Sequence, residues 1–300
     1  GPALRMPVLH FLSLRLSYIF HSEAISLVGK VYPNLRLHSC LCDHFPLSII
    51  PPNAYLKFLS FVNIYYMEKP KSIVVLTGAG ISAESGIKTF RATDGLWENH
   101  PVDEVATPEG FERDPQLVYE FYNQRRQELL TKNVKPNAAH TALAKFEHEF
   151  TGSFLLVTQN IDNLHERAGS NNPLHMHGEL LKMRCTTSQM VFDIRENFDY
   201  DTKCQCCRSP GNLRPNVVWF GEMPFHMHQI NNTLEACDLF VAIGTSGNVY
   251  PASGFSQTAK NGCAHTVELN LEATGSSFDS HLYGAATEVI PNYFKQILDS

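Results

Sequence analysis

The chain has 300 residues and a net charge of −6, and its Lys and Arg residues are spread along the sequence rather than clustered. This charge disfavours a nucleic-acid-binding protein, which would need a basic patch to neutralise phosphates. The hydrophobic fraction of 43% is typical of a globular protein, and no uninterrupted apolar run reaches the roughly 18 residues that span a bilayer. We therefore expect neither nucleic acid nor a membrane as a partner.

The first 66 residues differ from the rest, because they show no sustained helical or alternating periodicity. Three interpretations stay open for them: a stretch outside the working protein, an organelle transit peptide, or a partner-binding arm. Met67 lies immediately before the first orderly strand pattern, which favours the first interpretation. We predict an N-terminal extension at 1–66, disordered or not part of the working protein, and a folded domain at 67–300.

From Met67 onward, short apolar runs that predict strands alternate with patterns that predict helices. The runs are Ser72–Thr77, Phe154–Thr158, Val217–Phe220, Leu239–Ile243 and Thr266–Leu269, and the helical patterns include Pro115–Leu130 and Ala138–Phe150. Continuous apolar strands are typical of parallel sheets that helices cover on both faces. The predicted fold is α/β, a Rossmann-like doubly wound parallel sheet with a small module inserted at about 182–213, where cysteines cluster.

A glycine-rich turn, Gly78-Ala79-Gly80-Ile81-Ser82-Ala83, follows the first predicted strand and leads into a helix. Gly78 permits a tight turn, Gly80 lets the backbone approach a diphosphate, and Ala83 is small enough for close packing. A purely structural turn is the alternative. The ordinary dinucleotide fingerprint places an acidic residue at the end of a second strand, about 20 positions further on. Here the segment instead runs ESGIKTFR at 84–91 and DGLW at 94–97, which is not that layout, so a hydride-transfer dehydrogenase is disfavoured.

Six segments along the chain resemble the signatures of one family. They are GAGISAESGIKTFR at 78–91, TQNID at 158–162, HMHG at 175–178, VWFGE at 218–222, GTS at 244–246 and NLE at 270–272. Together they resemble the sirtuins, several of them almost verbatim in the bacterial CobB type. The resemblance implies that 67–300 is a sirtuin catalytic domain. It also implies an NAD⁺-dependent protein-lysine deacylase that releases nicotinamide and O-acyl-ADP-ribose.

The resemblance assigns catalysis to His177, Asn160 and Asp162. In this chemistry the acyl oxygen of the substrate attacks the ribose carbon that bears nicotinamide, and His177 serves as the base for a ribose hydroxyl. Only the glycine that follows His177 separates it from the neighbouring His175. Asp162 would accept from the nicotinamide carboxamide and Asn160 would orient the ribose, although simple helix capping by Asp162 is the alternative.

The resemblance also implies a set of NAD-binding residues on the predicted turns and strand ends. They are Gly78, Ala79, Gly80, Ser82, Ala83, Phe90, Arg91, Trp97, Gln159, Asn160, Ile161, Asp162, Gly244, Thr245, Ser246, Asn270, Leu271, Glu272 and Ala286.

Tyr122 and Arg125 lie three positions apart in the predicted helix, so they project from one face. A guanidinium can bind a carboxylate in a bidentate manner, and a tyrosine hydroxyl can add one hydrogen bond. The same pair marks the desuccinylase class of sirtuins, with a small residue such as Ala106 widening the pocket. We expect removal of both acetyl and succinyl groups; a solvated helix face is the alternative. The substrate peptide is expected against Phe220, Gly221 and Glu222.

A structural Zn²⁺ takes four tetrahedral ligands, typically from two C-x₂-C pairs. Cys204 and Cys207 form one such pair, but Ser188 stands where the resemblance expects the partner of Cys185. We predict a zinc ion held by Cys185, Cys204 and Cys207, with Cys206 able to replace the missing ligand. A metal-free module is the alternative.

Two rival functions stay open: a protein ADP-ribosyltransferase, which would leave a modified protein as product, and a non-enzymatic NAD-sensing module. Intact His177, Asn160 and Asp162 argue against the sensor. The expected partner is an acylated lysine in protein substrates, and we expect a monomer, although the sequence does not determine the oligomeric state. The closeness to bacterial relatives favours the cytoplasm, or the mitochondrion if residues 1–66 are a transit peptide.

Overall fold

The structure is a computed structural model that describes residues 69–88, 96–97, 100–131, 133–275 and 277–300. The predicted extension at 1–66 and the predicted NAD-binding residues Phe90 and Arg91 lie outside these ranges. Among the described residues, no helix combines the length and apolar character needed to cross a membrane.

The described strands are β1 (Ser72–Thr77), β2 (Leu96–Trp97), β3 (His100–Pro101), β4 (Ser153–Thr158), β5 (Leu174–His175), β6 (Gly178–Cys185), β7 (Val191–Asp193), β8 (Leu213–Val217), β9 (Leu239–Ile243), β10 (His265–Asn270) and β11 (Ser280–Tyr283). The α-helices are α1 (Val102–Val105), α2 (Pro108–Arg113), α3 (Pro115–Leu129), α4 (Ala138–Glu149), α5 (Leu164–Ala168), α6 (Met227–Ala236), α7 (Phe255–Asn261) and α8 (Ala286–Asp299). Two 3₁₀ segments lie at Ala79–Ser85 and Ala252–Gly254.

The main sheet has the strand order β11-β10-β9-β1-β4-β5, and every pair of neighbours in it is parallel. Successive residues of β1 point to opposite faces. Ile73 and Val75 pack in the cluster formed with α4 and α8, whereas Val74 and Leu76 pack in the cluster formed with α6 and α7. Both faces of the sheet are therefore covered by helices, which confirms the predicted doubly wound α/β fold.

A second, antiparallel sheet with the order β7-β6-β8 carries the cysteine cluster. The side chain of Arg126, on α3, is fully buried beside it. Its Nε donates to the carbonyl of Leu180 at 3.1 Å, and its guanidinium lies over the ring of Phe198. Burial lowers the pKa of Arg126 to about 10. This side chain therefore fastens the small sheet to α3.

One predicted strand, Val217–Phe220, does not belong to the parallel sheet. Val217 ends β8, which is antiparallel to β6, and residues 218–220 lie beyond that strand. The prediction was wrong because all of β8 is buried, so its apolar run looks like that of a parallel strand. The small sheet extends from Gly178 to Val217, somewhat wider than the predicted insertion.

The helices that the sequence predicted begin at side-chain caps. The carboxylate of Asp114 accepts from Leu117 N at 3.0 Å before α3. Before α4, Asn137 Oδ1 accepts from Ala139 N and His140 N, at 2.9 and 3.4 Å. Asn137 Nδ2 also donates to the carbonyl of Ile81 at 2.8 Å. This asparagine therefore joins α4 to the 3₁₀ segment after β1.

Substitution Asn137→Ala is expected to destabilise the fold by about 1–2 kcal/mol, since the cap and the bond to the glycine turn are lost together. Urea denaturation of the folded chain measures the change. The control is Asn292→Ala in α8, where the exposed amide bonds only to the carbonyl of Glu288 in its own helix. Equal stability losses in both variants would contradict the role assigned to Asn137.

Candidate active site

A cavity of about 1580 Å³ opens at the carboxyl ends of the parallel strands and continues along the small sheet. Ligand sites in open α/β sheets lie at this edge. The cavity brings together most of the residues that the sequence predicted. They are Gly78, Ala79, Gly80, Ser82, Ala83, Trp97, Ala106, Arg125, Gln159, Asn160, Ile161, Asp162, His177, Phe220, Gly221, Glu222, Gly244, Thr245, Ser246, Asn270, Leu271, Glu272 and Ala286.

The turns after β1 and β9 touch backbone to backbone at the floor of this cavity. Gly80 N donates to the carbonyl of Gly244 at 2.8 Å, and a Cβ added at Gly80 would lie 2.7 Å from the Cα of Gly244. Gly244 itself has a φ of 59°, which favours glycine. The close contact between these turns thus requires glycine, independently of any ligand. The helix predicted after the turn is a short 3₁₀ segment.

Asn160, Asp162 and Ser82 form a buried polar cluster behind the turn. Ser82 Oγ donates to Asp162 Oδ2 at 3.0 Å, and Asn160 Nδ2 donates to the carbonyl of Gly78 at 3.1 Å. Burial raises the pKa of the Asp162 carboxyl group, which its bonds from Leu164 and Ser82 oppose. Asp162 Oδ1 accepts from Leu164 N at 3.0 Å at the start of α5. The carboxylate therefore caps a helix as well as lining the cavity.

Two buried histidines that the sequence analysis missed support this cluster. His140 Nε2 lies 3.4 Å from Ser82 Oγ, and His165 Nε2 lies 2.9 Å from Thr77 Oγ1. Burial lowers the pKa of His140 to about 4, so the ring is neutral at pH 7. Its Nδ1 lies 3.0 Å from Asn137 Oδ1. The signal that could have found His140 is its spacing of three from Asn137 just before a helical pattern.

His177 and His175 occupy different environments. His177 lines the cavity, and its Nδ1 lies 3.1 Å from the carbonyl of Gln159. A carbonyl can only accept, so Nδ1 carries the hydrogen and Nε2 of the neutral ring keeps its lone pair. Burial lowers the pKa of His177, although the bond to Gln159 opposes this. The geometry suits a base that is neutral at physiological pH.

His175 is buried away from the cavity wall. Its Nε2 lies 2.6 Å from Glu166 Oε1, and its Nδ1 lies 3.0 Å from the carbonyl of Asn160. Burial opposes protonation, but the hydrogen bond and charge of Glu166 outweigh it, so the pKa of His175 is raised. His175 therefore acts as a cationic brace that joins β5 to α5 and to the loop that carries Asn160.

The end of the cavity beyond β9 and β10 is ordered around Thr245. Gln159 Nε2 donates to Thr245 Oγ1 at 3.1 Å, and Asn270 Nδ2 donates to the carbonyl of Thr245 at 2.8 Å. Glu268, which the sequence analysis did not select, is buried nearby and accepts from Thr274 and Tyr283. Glu268 thereby holds the loop after β10 in place.

The opposite end of the cavity has an apolar wall. Ala106, Val134, Leu180 and Trp219 line it and belong to one packed cluster. Arg125 also lines it, with 11% of its side chain exposed. This arrangement contradicts the alternative of a solvated helix face.

Tyr122 does not line the cavity, although the sequence placed it beside Arg125. Its side chain is fully buried, and its hydroxyl accepts from Trp219 Nε1 at 2.9 Å. Burial raises the pKa of this hydroxyl, so it stays protonated. The tyrosine thus stands one layer behind the wall and is linked to the cavity through Trp219.

The segment Phe220–Glu222 forms a turn at the mouth of the apolar end. Phe220 N donates to the carbonyl of Ala106 at 2.9 Å, which joins the turn to the end of α1. Glu222 accepts from Trp219 N at 2.8 Å and pairs with Arg214 at 2.6 Å. Burial opposes ionisation of Glu222, but the bonds from Arg214 and Trp219 outweigh it and lower its pKa. The Glu222 carboxylate is therefore committed to holding this turn.

The thiols of Cys185, Cys204, Cys206 and Cys207 all lie within 4.8 Å of one another. Four thiolates about 2.3 Å from a zinc ion lie at comparable separations, so the cluster fits tetrahedral zinc. Ser188 N approaches Cys185 Sγ at 3.5 Å and Ser188 Oγ approaches Cys206 Sγ at 3.2 Å. The predicted ligands thus meet in space, and Cys206 joins them where Ser188 offers only a hydroxyl.

The sequence model of the Sir2 family matches residues 78–251, more than half of the chain. The chain belongs to the Sir2 family. The match includes the glycine turn after β1, the cysteine cluster and the apolar wall of the cavity. Membership confirms the family that the six sequence segments indicated.

Similar curated proteins and solved structures agree with this placement. An NAD-dependent protein deacylase of Pasteurella multocida is 60% identical over 77% of this chain and 100% of its own length. A protein of that name from Escherichia coli K12 is 58% identical over 77% of this chain and 84% of its own length. A solved Sir2 homologue–NAD complex superposes with a TM-score of 0.69, at 38% identity over 77% of this chain and 91% of that one.

Substitution Cys206→Ser is expected to weaken zinc binding by roughly tenfold or more, because one of four thiolates is lost. Loss of a group that only supports a ligand already costs about tenfold in metal affinity. Competition with a chromophoric chelator measures the affinity. Cys237→Ala, which removes a buried cysteine outside the cluster, is the control and should keep the metal. Unchanged affinity in the Cys206 variant would show that another group completes the site.

Proposed function

We propose that this protein is an NAD⁺-dependent protein-lysine deacylase with residues 67–300 as its catalytic domain. The observation that carries the proposal is the placement of His177, whose Nδ1 is held by a backbone carbonyl while its ring faces the cavity that also contains Asn160 and Asp162. The name of the relatives and the NAD complex of a solved homologue support it. The compact unit Pro70–Ser300 supports the domain assignment.

When bound, NAD⁺ would supply the ribose carbon that the acyl oxygen attacks, and the bond from this carbon to nicotinamide would break. Cleavage of the acyl–lysine C–N bond, with uptake of one water, would then release the free lysine and leave the acyl group on the ribose. The neutral imidazole of His177 accepts the proton of the ribose hydroxyl. Asp162 would accept from the nicotinamide carboxamide and Asn160 would orient the ribose. The bonds of these two residues to Ser82 and Gly78 keep them in place. The apolar wall at Trp219 and Ala106 would surround the apolar part of the acyl chain.

The glycine turn and Thr245 are assigned to the phosphates and ribose of NAD⁺, and Asn270 to the adenosine end. Acyl-lysine peptides are proposed to lie along Phe220 and Gly221. A solved relative at 27% identity and a TM-score of 0.64 is described as a Sir2–p53 peptide–NAD⁺ complex, which supports a protein substrate. The bacterial origin of the relatives supports the cytoplasm as the compartment, and a monomer stays a prediction.

The first test follows nicotinamide and O-acyl-ADP-ribose with acetyl-lysine and succinyl-lysine peptides of one sequence, with and without NAD⁺. NAD⁺-dependent release of both products is expected, and the substitution His177→Ala should lower the rate of this release by about 10²-fold or more. The value of kcat/KM should fall as the pH drops through a pKa below 6.5, because protonated His177 cannot accept a proton. A modified protein instead of acyl-ADP-ribose would identify a transferase.

Substitution Arg125→Met is expected to lower kcat/KM for the succinyl peptide by about 10- to 100-fold, because the bond to the acyl carboxylate is lost. The acetyl reaction should change much less, since an acetyl group has no carboxylate. Arg113→Met, an arginine on α2 whose guanidinium reaches only the carbonyl of Asp103 at 3.3 Å, is the control. Parallel losses on both peptides would refute a carboxylate-binding role for Arg125.

A further inference from the structure

Arg125 already has an internal carboxylate partner at the acyl end of the cavity. Glu128, one turn further along α3, places Oε2 3.2 Å from Arg125 Nε and Oε1 3.5 Å from Arg125 Nη2. Both residues line the cavity. The Nε and Nη2 face of the guanidinium is therefore occupied before any substrate binds.

The remaining terminal nitrogen of Arg125 is in a different state. Nη1 is buried and has no hydrogen-bond partner among the described residues. A buried donor without an acceptor is unfavourable, so this nitrogen favours the binding of a ligand that brings an acceptor. The guanidinium also lies 4.7 Å from the centre of the Phe121 ring, which restricts its position.

We propose that Glu128 sets the acyl-chain preference by competing with the carboxylate of an acidic acyl group for Arg125. This inference rests on the proposed deacylase function. The carboxylate of Glu128 balances the charge of the Arg125 guanidinium and leaves Nη1 without a partner. A neutral acetyl group therefore binds next to a wall that has no net charge. An acidic acyl group reaches Nη1 but finds the Nε and Nη2 face of the guanidinium already occupied by Glu128.

The Glu128 side chain is exposed enough to move away from Arg125 when an acyl carboxylate binds. Its side chain is 54% exposed, whereas that of Arg125 is 11% exposed. An ion pair with a solvent-exposed partner is weakened by water, so Glu128 can turn towards water when a carboxylate binds. Gln124 donates to Glu128 Oε1 at 3.1 Å and offers a place for it on the outer face of the helix.

The opposite role for Glu128 is to hold Arg125 in the orientation that binds the acyl carboxylate. The two roles predict opposite signs when the charge is removed. Competition predicts that succinyl turnover improves, because the Nε and Nη2 face of the Arg125 guanidinium becomes free to bind the acyl carboxylate. Orientation predicts that succinyl turnover falls, because Arg125 loses the bond that fixes it.

The experiment measures kcat and KM on acetyl- and succinyl-lysine peptides for the wild-type chain, Glu128→Gln and Glu128→Ala. The ratio of succinyl to acetyl kcat/KM is expected to rise by about threefold to tenfold in both variants, mainly through a lower KM for the succinyl peptide. Glu120→Gln is the matched control, because Glu120 is an exposed glutamate on α3 whose one side-chain bond within the described part of the chain is from Gln116. Its ratio should stay that of the wild type.

A double substitution separates competition at Arg125 from a general charge effect. In an Arg125→Met background, Glu128→Gln should leave the ratio unchanged, because the two changes act through one contact. A ratio that stays constant or falls in Glu128→Gln overturns the inference, and so does a rise that persists without Arg125. If only the inference fails, wild-type turnover and the selective loss in Arg125→Met remain; failure of the proposed function would abolish turnover of both peptides.

Discussion

The backbone contact between the turns after β1 and β9 determines where the groups of the cavity lie. Neighbouring parallel strands run about 5 Å apart, and side chains at their ends would push the following turns away from each other. Glycine at Gly78, Gly80 and Gly244 removes that barrier, so backbone hydrogen bonds continue beyond the strands, from Gly78 N to Ile243 and from Gly80 N to Gly244. Thr245 follows directly, and the amides of Gln159 and Asn270 converge on it. The polar end of the site is thus assembled by backbone packing.

The buried polar cluster behind this contact shows how the fold holds charged and polar groups next to a cavity. A carboxylate in a dry site is unfavourable unless donors surround it, and Asp162 has Ser82 and Leu164 N as donors. His140 and His165 are neutral because burial lowers their pKa, so neither ring places a positive charge beside Asp162, whose own pKa burial raises. The donors fix the direction of Asp162, so its lone pairs do not need to reorganise when a ligand amide arrives.

The sequence predicted the elements with a strong periodic signal and missed those without one. The bounds of β1 and β9 were confirmed because these central strands are buried on both faces. The strands β5 and β11 were not predicted, since two residues in one and the exposed sequence SHLY in the other leave no apolar run. Buried β8 was placed in the wrong sheet, because burial does not reveal strand direction.

The same limit applies to the site. Motif residues with a family signature were found, and the cavity brings most of them together. The residues that hold the site in place contact it across distant segments, such as His140 with Ser82 or Tyr122 with Trp219. Local sequence spacing does not predict such contacts. The ring of Tyr122 shares a helix face with Arg125, yet the packing of Trp219 decides that only the arginine reaches the wall.

Arg125 and Arg126 show how one helix can use adjacent cations for different purposes. Successive residues on a helix point about 100° apart, so α3 sends Arg125 to the cavity and Arg126 into the small sheet. Arg126 bonds to backbone carbonyls and lies over an aromatic face, which suits a permanent structural link. Each of the two arginines keeps one buried nitrogen without a partner among the described residues, but only Arg125 of the two lines the cavity and pairs there with a carboxylate on an exposed side chain. A structural arginine has no need of an exchangeable partner, whereas an arginine that must accept and release an acyl carboxylate in each turnover does.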